Sequence, residues 1–328
     1  MESKGKVLVT GANGFLATNT IEELTAAGYC VRGILRRKKA YIGKADKALE
    51  LVEGDFTDRD FMTGAVRGCD FIVHIAAMTG QAGDSSEYER VNVTATESLV
   101  QAGIAAGIRR MVYVSSANAL AYGTMENPGD ETRSTIPPFT ESMYAMSKAR
   151  AQECICKYTS DMEIVIVNPT FMLGPMDAKP SSGRIITMGY GRKIMAAPPG
   201  GKNFVHVRDV SKGIVAALEK GRNGESYLLA GENMDYAAFY STLSRLSGKP
   251  MKIIRVPKPI LLAAGVICSA LYKIGIRTEA TLTNMKLLCV GNYYSHDKAE
   301  SELGIRFRTT EEAVKDALGW FREHGMIQ

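Results

Sequence analysis

Thr10-Gly11-Ala12-Asn13-Gly14-Phe15-Leu16-Ala17 stands between an apolar run, Lys6 to Thr10, and a helical pattern over Asn19 to Ala27 that Gly28 ends. A glycine-rich turn between a strand and a helix lets the backbone reverse tightly and approach a bound group closely. The free N–H groups at the head of the following helix then favour negative charge. This context makes Thr10, Gly11, Asn13, Gly14, Phe15 and Leu16 candidate ligands of a dinucleotide pyrophosphate; the plainer alternative is a connection that merely needs positive φ. Ala17 stands where a third glycine often occurs, a departure of one methyl group that helix–strand packing tolerates.

Outward from that turn, Cys30 to Leu35, Leu49 to Glu53, Phe71 to Ile75, Met111 to Val114 and Glu163 to Val167 read as strands. Helical patterns lie between them at Arg59 to Val66, Glu89 to Gly107 and Tyr144 to Tyr158. Near-continuous Val/Ile/Leu strands alternating with helices predict an α/β fold, a Rossmann-type doubly wound parallel sheet covered on both faces. Beyond Asn168 the spacing loosens: Pro169 to Gly183 and Ala196 to Gly201 read as loops, with strand-like Asn203 to Val207 and Ser226 to Leu229 after them. The expected division is a nucleotide-binding part, 1–168 plus about 203–230, and a smaller α+β substrate-binding region, about 169–202 and 231–328.

The 328 residues are 45% hydrophobic and 23% charged, which excludes a disordered chain, and six cysteines are too few for a disulfide scaffold of this length. A net charge of +5 with no recognisable module argues against a nucleic-acid partner. The cysteines form no CxxC pair and the four histidines lie far apart, so reduced thiols in a cytoplasm and no metal site are expected. Met1 to Lys6 runs directly into Val7-Leu8-Val9, leaving no room for a signal peptide. The uncharged stretch Ile260 to Tyr272, bounded by Lys258 and Lys273, falls short of the roughly 20 apolar residues that span a bilayer. It reads as a buried or dimer-facing helix, or as one that touches a membrane or admits substrate.

Two further segments carry chemistry. After the second strand an NAD-preferring enzyme commonly offers the ribose a carboxylate, whereas a 2'-phosphate calls for guanidinium and ammonium groups. Arg32-Gly33-Ile34-Leu35-Arg36-Arg37-Lys38-Lys39 is followed by no acid before Gly43, favouring NADP(H) with Arg36 and Arg37 as phosphate ligands; a solvated basic loop is the plainer reading. Tyr144-Ala145-Met146-Ser147-Lys148 places Tyr and Lys four apart on a helix, so the ammonium is expected near the phenol, favouring its ionised form. Ser115 and Ser116 end the strand Met111 to Val114, at the carboxyl edge where such sheets bind ligands.

These segments, with Asp55-Phe56-Thr57-Asp58, His74-Ile75-Ala76-Ala77, Asn92-Val93-Thr94, Asn168-Pro169, Gly174-Pro175 and Phe204 to Val210, occur in an order that resembles the extended short-chain dehydrogenase/reductase superfamily over nearly the whole chain. Lys179 to Arg184, Gly231-Glu232-Asn233 and Asp297 to Gly304 are most similar to its dihydroflavonol-reductase-like branch, nearest the hopanoid-associated sugar epimerase group. The resemblance implies Tyr144 as proton donor and acceptor, Lys148 as a ligand of the nicotinamide ribose that tunes Tyr144, and Ser116 on the substrate oxygen, with Ser115 its neighbour on the cofactor side. It implies Asp55 and Phe56 at the adenine, Ala76 and Ala77 at the ribose, and Pro169 at the nicotinamide. Plainer readings make Asp55 a turn residue, Asp58 a helix cap, Asn92 a backbone brace, and His74 and His206 structural. Met78, Phe171 and Met172 are candidate substrate contacts, although methionines serve equally in an ordinary core.

Hydride exchange at a carbon bearing oxygen is common to the superfamily, whose members differ in the fate of the product. Dehydratases resemble a Thr-Asp-Glu arrangement where this chain has Ser116-Ala117-Asn118, which argues against elimination. Nucleotide-sugar enzymes commonly show Arg-Pro-x-Asn and a later Arg, here Asn168-Pro169-Thr170-Phe171 and Lys202. The favoured reading is an NADP(H)-dependent reductase of an apolar or aromatic carbonyl compound, or the reverse alcohol oxidation. A sugar epimerase is the alternative, and a non-enzymatic cofactor-binding regulator a minor one. Family members often dimerise through the two long helices, so a homodimer is expected.

Overall fold

The computed structural model describes residues 3–79, 84–273 (backbone alone at 272–273), 278 and 280–328. Strands β1 (Lys6–Thr10), β2 (Cys30–Leu35), β3 (Leu49–Glu53), β4 (Phe71–His74), β5 (Arg110–Val114) and β6 (Glu163–Pro169) join a later strand, β10 (Ser226–Leu229), in one seven-stranded sheet. Its order is β10-β6-β5-β4-β1-β2-β3 and every pairing in it is parallel. The strand order reverses between β1 and β4, and a doubly wound sheet opens its ligand crevice at the carboxyl ends of the strands flanking such a point.

Alternation along each strand divides the core between two faces. Val7, Val9, Val112, Val114, Val165 and Val167 pack with helices α1 (Phe15–Ala26) and α7 (Val207–Lys220), whereas Leu8, Met111, Tyr113, Ile164 and Ile166 pack on the other side. That second face is covered by α2 (Arg59–Ala65), α4 (Ala95–Ala105) and α5 (Met143–Cys156). The chain enters α4 through a short α3 (Ser85–Tyr88) and a widened turn at Glu89–Thr94.

A second layer holds β7 (Phe171–Leu173), β9 (Gly201–His206), β11 (Glu232–Asp235) and β13 (Gly291–Asn292), with β9 pairing all three others. A two-stranded sheet, β8 (Ile194–Ala197) with β12 (Lys252–Arg255), lies apart from it. Helices α6 (Arg184–Gly189), α8 (Tyr236–Ser247), α9 (Lys258–Lys273), α10 (Leu282–Leu288) and α11 (Thr310–Glu323) complete the chain. Residues of α6, α8 and α11 enclose the core around Phe204, Phe239 and Phe321.

Four expectations need correction. The first helix begins at Phe15 rather than Asn19, because the turn ends at Gly14, which serves as its N-cap. The helix expected over Glu89 to Gly107 is interrupted by the widened turn, where the Asn92 carboxamide is drawn to the Met78 backbone and to Ser147. The Pro/Gly-rich segments are not all loop: Phe171–Leu173 and Ile194–Ala197 find strand partners in β9 and β12. Finally, the strand assigned to the nucleotide-binding part, 203–207, runs Gly201–His206 in the second sheet, since both its flanks are occupied by β7, β13 and β11.

Candidate functional site

The carboxyl ends of β1 and β4 are tied together before any ligand is considered. Thr10 Oγ1 lies 2.7 Å from His74 Nδ1 and accepts from the Ile75 and Ala76 amides at 3.1 Å, while His74 Nε2 meets Thr96 Oγ1 at 3.0 Å. Thr10 thus fixes the crevice wall rather than offering its hydroxyl to it. His74 is a fully buried brace, as its plainer reading held, and burial, with the nearby Lys148 charge, lowers its pKa to about 3.

Because the unfolded chain takes up a proton on His74 near pH 6.5 and the folded one resists until about 3, the unfolded state binds the extra proton between those values. Stability therefore falls with pH through this window, by about 2 kcal/mol from this residue at about pH 5. Urea unfolding of the wild type and His74→Gln at about pH 7 and pH 5 should show a steeper loss in the wild type; equal losses would refute a neutral His74.

Gly11 has φ +71°, and a Cβ there would lie 3.2 Å from the Ala76 Cα and Cβ. Gly14 caps α1 with extended backbone and no side-chain bond, and the first turn of α1 carries no acid. An uncapped helix head beside two bare glycines, one of them exposed, fits a pyrophosphate. Asn13 is exposed on this turn, Leu16 is buried beneath it, and Phe15 packs on the first core together with Met172. Met172 therefore faces the nucleotide-binding core, while its strand neighbour Phe171 faces the second sheet. That placement removes Met172 from the substrate side, because successive strand residues point to opposite faces.

Arg36 and Arg37 are exposed beyond β2 and form no ion pair among the described residues. Arg32, five places upstream of Arg37, does not join them: it bonds Glu50 and the carbonyls of Ala65 and Arg67 at the end of α2. Asp55 accepts from the Thr57 amide and hydroxyl at 2.9 Å, a turn geometry that leaves its carboxylate exposed. Phe56 lies 5.4 Å from the His74 ring, and Asp58 caps α2 through the Phe61 amide. Ala76 and Ala77 are half-buried past the end of β4; Met78 follows, its backbone clamped by Asn92. The loop expected to line the pocket from Met78 to Tyr88 lies partly outside the described residues, at 80–83.

Helix α5 brings the remaining groups together. Ser142 caps it, and Tyr144, Lys148 and Gln152 recur at four-residue spacing on one face. Burial raises the Tyr144 pKa, and the neighbouring Ser116 hydroxyl opposes that shift; Ser116 Oγ also accepts from the Asn118 amide at 3.3 Å. Lys148 is 2% exposed, and its Nζ donates to the Val114 carbonyl at 2.8 Å and sits 4.8 Å above the Tyr113 ring. Burial lowers its pKa to about 7. The ammonium is tied to the strand end, since a carbonyl at the last residue of β5 is within reach of the long side chain, one turn along α5 from Tyr144.

Gln152 accepts from the Ser115 hydroxyl at 2.5 Å and from Asn168 Nδ2 at 2.9 Å. Ser115 is thereby held in a brace between β5, β6 and α5, and Ser116 is the residue left facing Tyr144. Pro169 ends β6, buried, next to this brace. Gln152 was legible as the next turn of the Tyr144/Lys148 face. Asn118 and Asn292 were not: Asn292 Nδ2 reaches Asn118 Oδ1 at 3.2 Å across a separation of 174 residues. On the second sheet the Lys202 ammonium, without an ion pair among the described residues, lies 4.9 Å over the Phe171 ring, and burial lowers its pKa to about 8. Phe171 itself stands edge-on to Phe204 at 5.7 Å. No group of three or more metal-ligating side chains occurs among the described residues.

Comparison with known proteins agrees with this architecture. A family model described as the NAD dependent epimerase/dehydratase family matches residues 7–230. Sterol demethylase protein B of Methylococcus capsulatus is 32% identical, the match covering 98% of this chain and 99% of that protein. A Synechocystis protein provisionally named a dihydroflavonol 4-reductase is 30% identical, covering 98% and 95%. Among solved structures, that of gox2253 superposes with a TM-score of 0.83 at 30% identity, over 98% of this chain and 99% of that one.

Proposed function

The chain belongs to the NAD-dependent epimerase/dehydratase family, and from that membership we propose that it is an NADP(H)-dependent reductase of a ketone or aldehyde carried on an apolar or aromatic compound, or the corresponding alcohol dehydrogenase. Its enzyme class, NAD(P)-dependent oxidoreduction or epimerisation, follows from the family; the narrower reading rests on one observation. The wall of the second sheet beside the site is aromatic, with Phe171 stacked edge-on against Phe204 where a nucleotide sugar would need a hydrogen-bonding amide. Two relatives whose names refer to a sterol and a dihydroflavonol, both compounds built on several rings, support the same substrate class.

The bound cofactor supplies or takes up the hydride. Tyr144 gives the proton to the nascent alkoxide, and the neighbouring Ser116 hydroxyl holds that oxygen in place. Lys148, pinned to Val114, lies within the same pocket wall, where its protonated form stabilises the Tyr144 phenolate left after transfer and its ammonium can hold ribose hydroxyls. Gly11, Asn13, Gly14, Phe15 and Leu16 take the pyrophosphate, Asp55 and Phe56 the adenine, Ala76, Ala77 and Ser115 the ribose side, and Pro169 the nicotinamide. Met78 and Phe171 line the substrate side.

The 2'-phosphate falls to Arg36 and Arg37. Replacing both with Ala should lower the NADPH-to-NADH ratio of kcat/KM by about tenfold or more, read from initial rates with each cofactor. Equal use of the two cofactors by the wild type would overturn the preference.

The nucleotide-sugar epimerase remains the second reading because of Lys202, an enclosed ammonium with no carboxylate partner among the described residues, which an anionic substrate would satisfy. A carbonyl panel with NADPH and NADH side by side separates the two: stoichiometric NADPH consumption supports the reductase, and isomerisation of a UDP-sugar without net consumption replaces it with the epimerase. No helix among the described residues is long and apolar enough to cross a membrane. We place the enzyme in the cytoplasm, where its thiols stay free, as a homodimer joined through α4 and α5.

A further inference from the structure

Helix α9 presents two unlike faces. On one, a Cβ at Gly265 would lie 2.9 Å from the Leu282 Cα, and the Ser269 hydroxyl accepts from the Leu282 amide at 2.8 Å, so this face is packed on α10. On the other, Ile260, Ala263, Ala264, Ile267 and Ala270 recur at helical spacing with Val266 beside them, all exposed and uncharged. Ile260 and Ile267 are each 61% exposed and Val266 55%. A continuous apolar face of that extent marks an interaction surface.

The two segments that form this surface carry charge of one sign. Segments 190–202 and 249–273 together hold eight of the 40 basic residues and none of the 35 acids, so the rest of the chain is net acidic. Three of the eight are committed: Lys202 is enclosed over Phe171, Arg255 pairs with Asp235 at 3.3 Å, and Lys249 donates to the Gln328 carbonyl at 2.7 Å over the Tyr190 ring. Arg192, Lys193, Lys252 and Lys258 are exposed and form no ion pair among the described residues. In the β8–β12 sheet, Lys252 is in register with Ile194 and Ile254 with Ala196, all four exposed, and β12 leads into α9 after only Val256 and Pro257.

We propose that α9, with the adjoining β8–β12 edge, seats the enzyme on the surface of an anionic lipid bilayer. An apolar face immersed at the headgroup level and basic side chains beside it are the two attractions that hold an interfacial helix. A second copy fits less well, because a two-fold contact sets the same patch against itself and would bring these basic residues together with no acid from either segment to meet them.

The test is flotation of the full chain with vesicles of phosphatidylcholine alone and of phosphatidylcholine containing roughly 30 mol% phosphatidylglycerol. The bound fraction should rise about fivefold or more with the anionic lipid and fall back in about 0.5 M salt. Ile260→Asp/Ile267→Asp, at exposed positions that leave folding intact, should lower the partition coefficient by about tenfold or more. Lys252→Glu/Lys258→Glu should remove only the increment due to phosphatidylglycerol. No binding to either vesicle overturns the proposal. So does light scattering showing that Ile260→Asp/Ile267→Asp splits an oligomer while vesicle binding is unchanged, which would make the face a contact between copies.

Discussion

Tyr144→Phe is expected to lower kcat by about 10²- to 10⁴-fold while leaving NADPH affinity within a few-fold of the wild type. The phenylalanine keeps the ring and its packing in the first turn of α5 and removes only the hydroxyl that neighbours Ser116. The loss should appear in kcat more than in KM, since a proton donor acts on charge that develops in the transition state. Burial raises the Tyr144 pKa, so the free phenol stays protonated through neutral pH, ready to donate in the reductive direction. Lys148, with a pKa of about 7, changes charge in that same range. Reduction should therefore weaken as the pH rises past about 7, where Lys148 loses the charge that supports the phenolate. Initial rates and cofactor titrations on both proteins test this; Tyr144→Phe turning over at the wild-type rate would remove Tyr144 from the chemistry.

Gly11→Val should weaken NADPH binding by about 100-fold or more. At φ +71° a β-branched residue is strained, and its Cβ would press on Ala76, whose amide is already held by Thr10 and cannot withdraw freely. Relief has to come from the turn itself, moving the amides proposed to face the pyrophosphate. Gly14→Ala is the control: at φ −81° the backbone is ordinary and the new Cβ meets only the Gly11 carbonyl, at 3.1 Å, so a loss of about tenfold with an unchanged melting temperature is expected. Calorimetric titration with NADPH reads both. Wild-type affinity in Gly11→Val would place the pyrophosphate elsewhere.

Much of this enzyme was legible because its signals are local. A strand, a glycine turn and a helix head adjoin in sequence, so the proposed dinucleotide site could be read from residues 6–26, and a four-residue spacing places Tyr144 and Lys148 on one helix face whatever surrounds them. The parallel sheet followed from strand–helix alternation, and Asp58 as a helix cap needed only its own helix.

What tertiary structure alone decided lies between segments far apart in the chain. Periodicity places Lys148 on a face, but the carbonyl it meets belongs to β5, 34 residues away. Residues 203–207 read as a strand, and only the arrival of β7, β11 and β13 on the flanks of β9 assigned it to the second sheet. The widened turn at Asn92 depends on Ser147, and the Asn118–Asn292 contact depends on where β13 enters. A local pattern states which residues share a face; which partner that face meets is settled by register and chain path, and those arise only when the whole chain has folded.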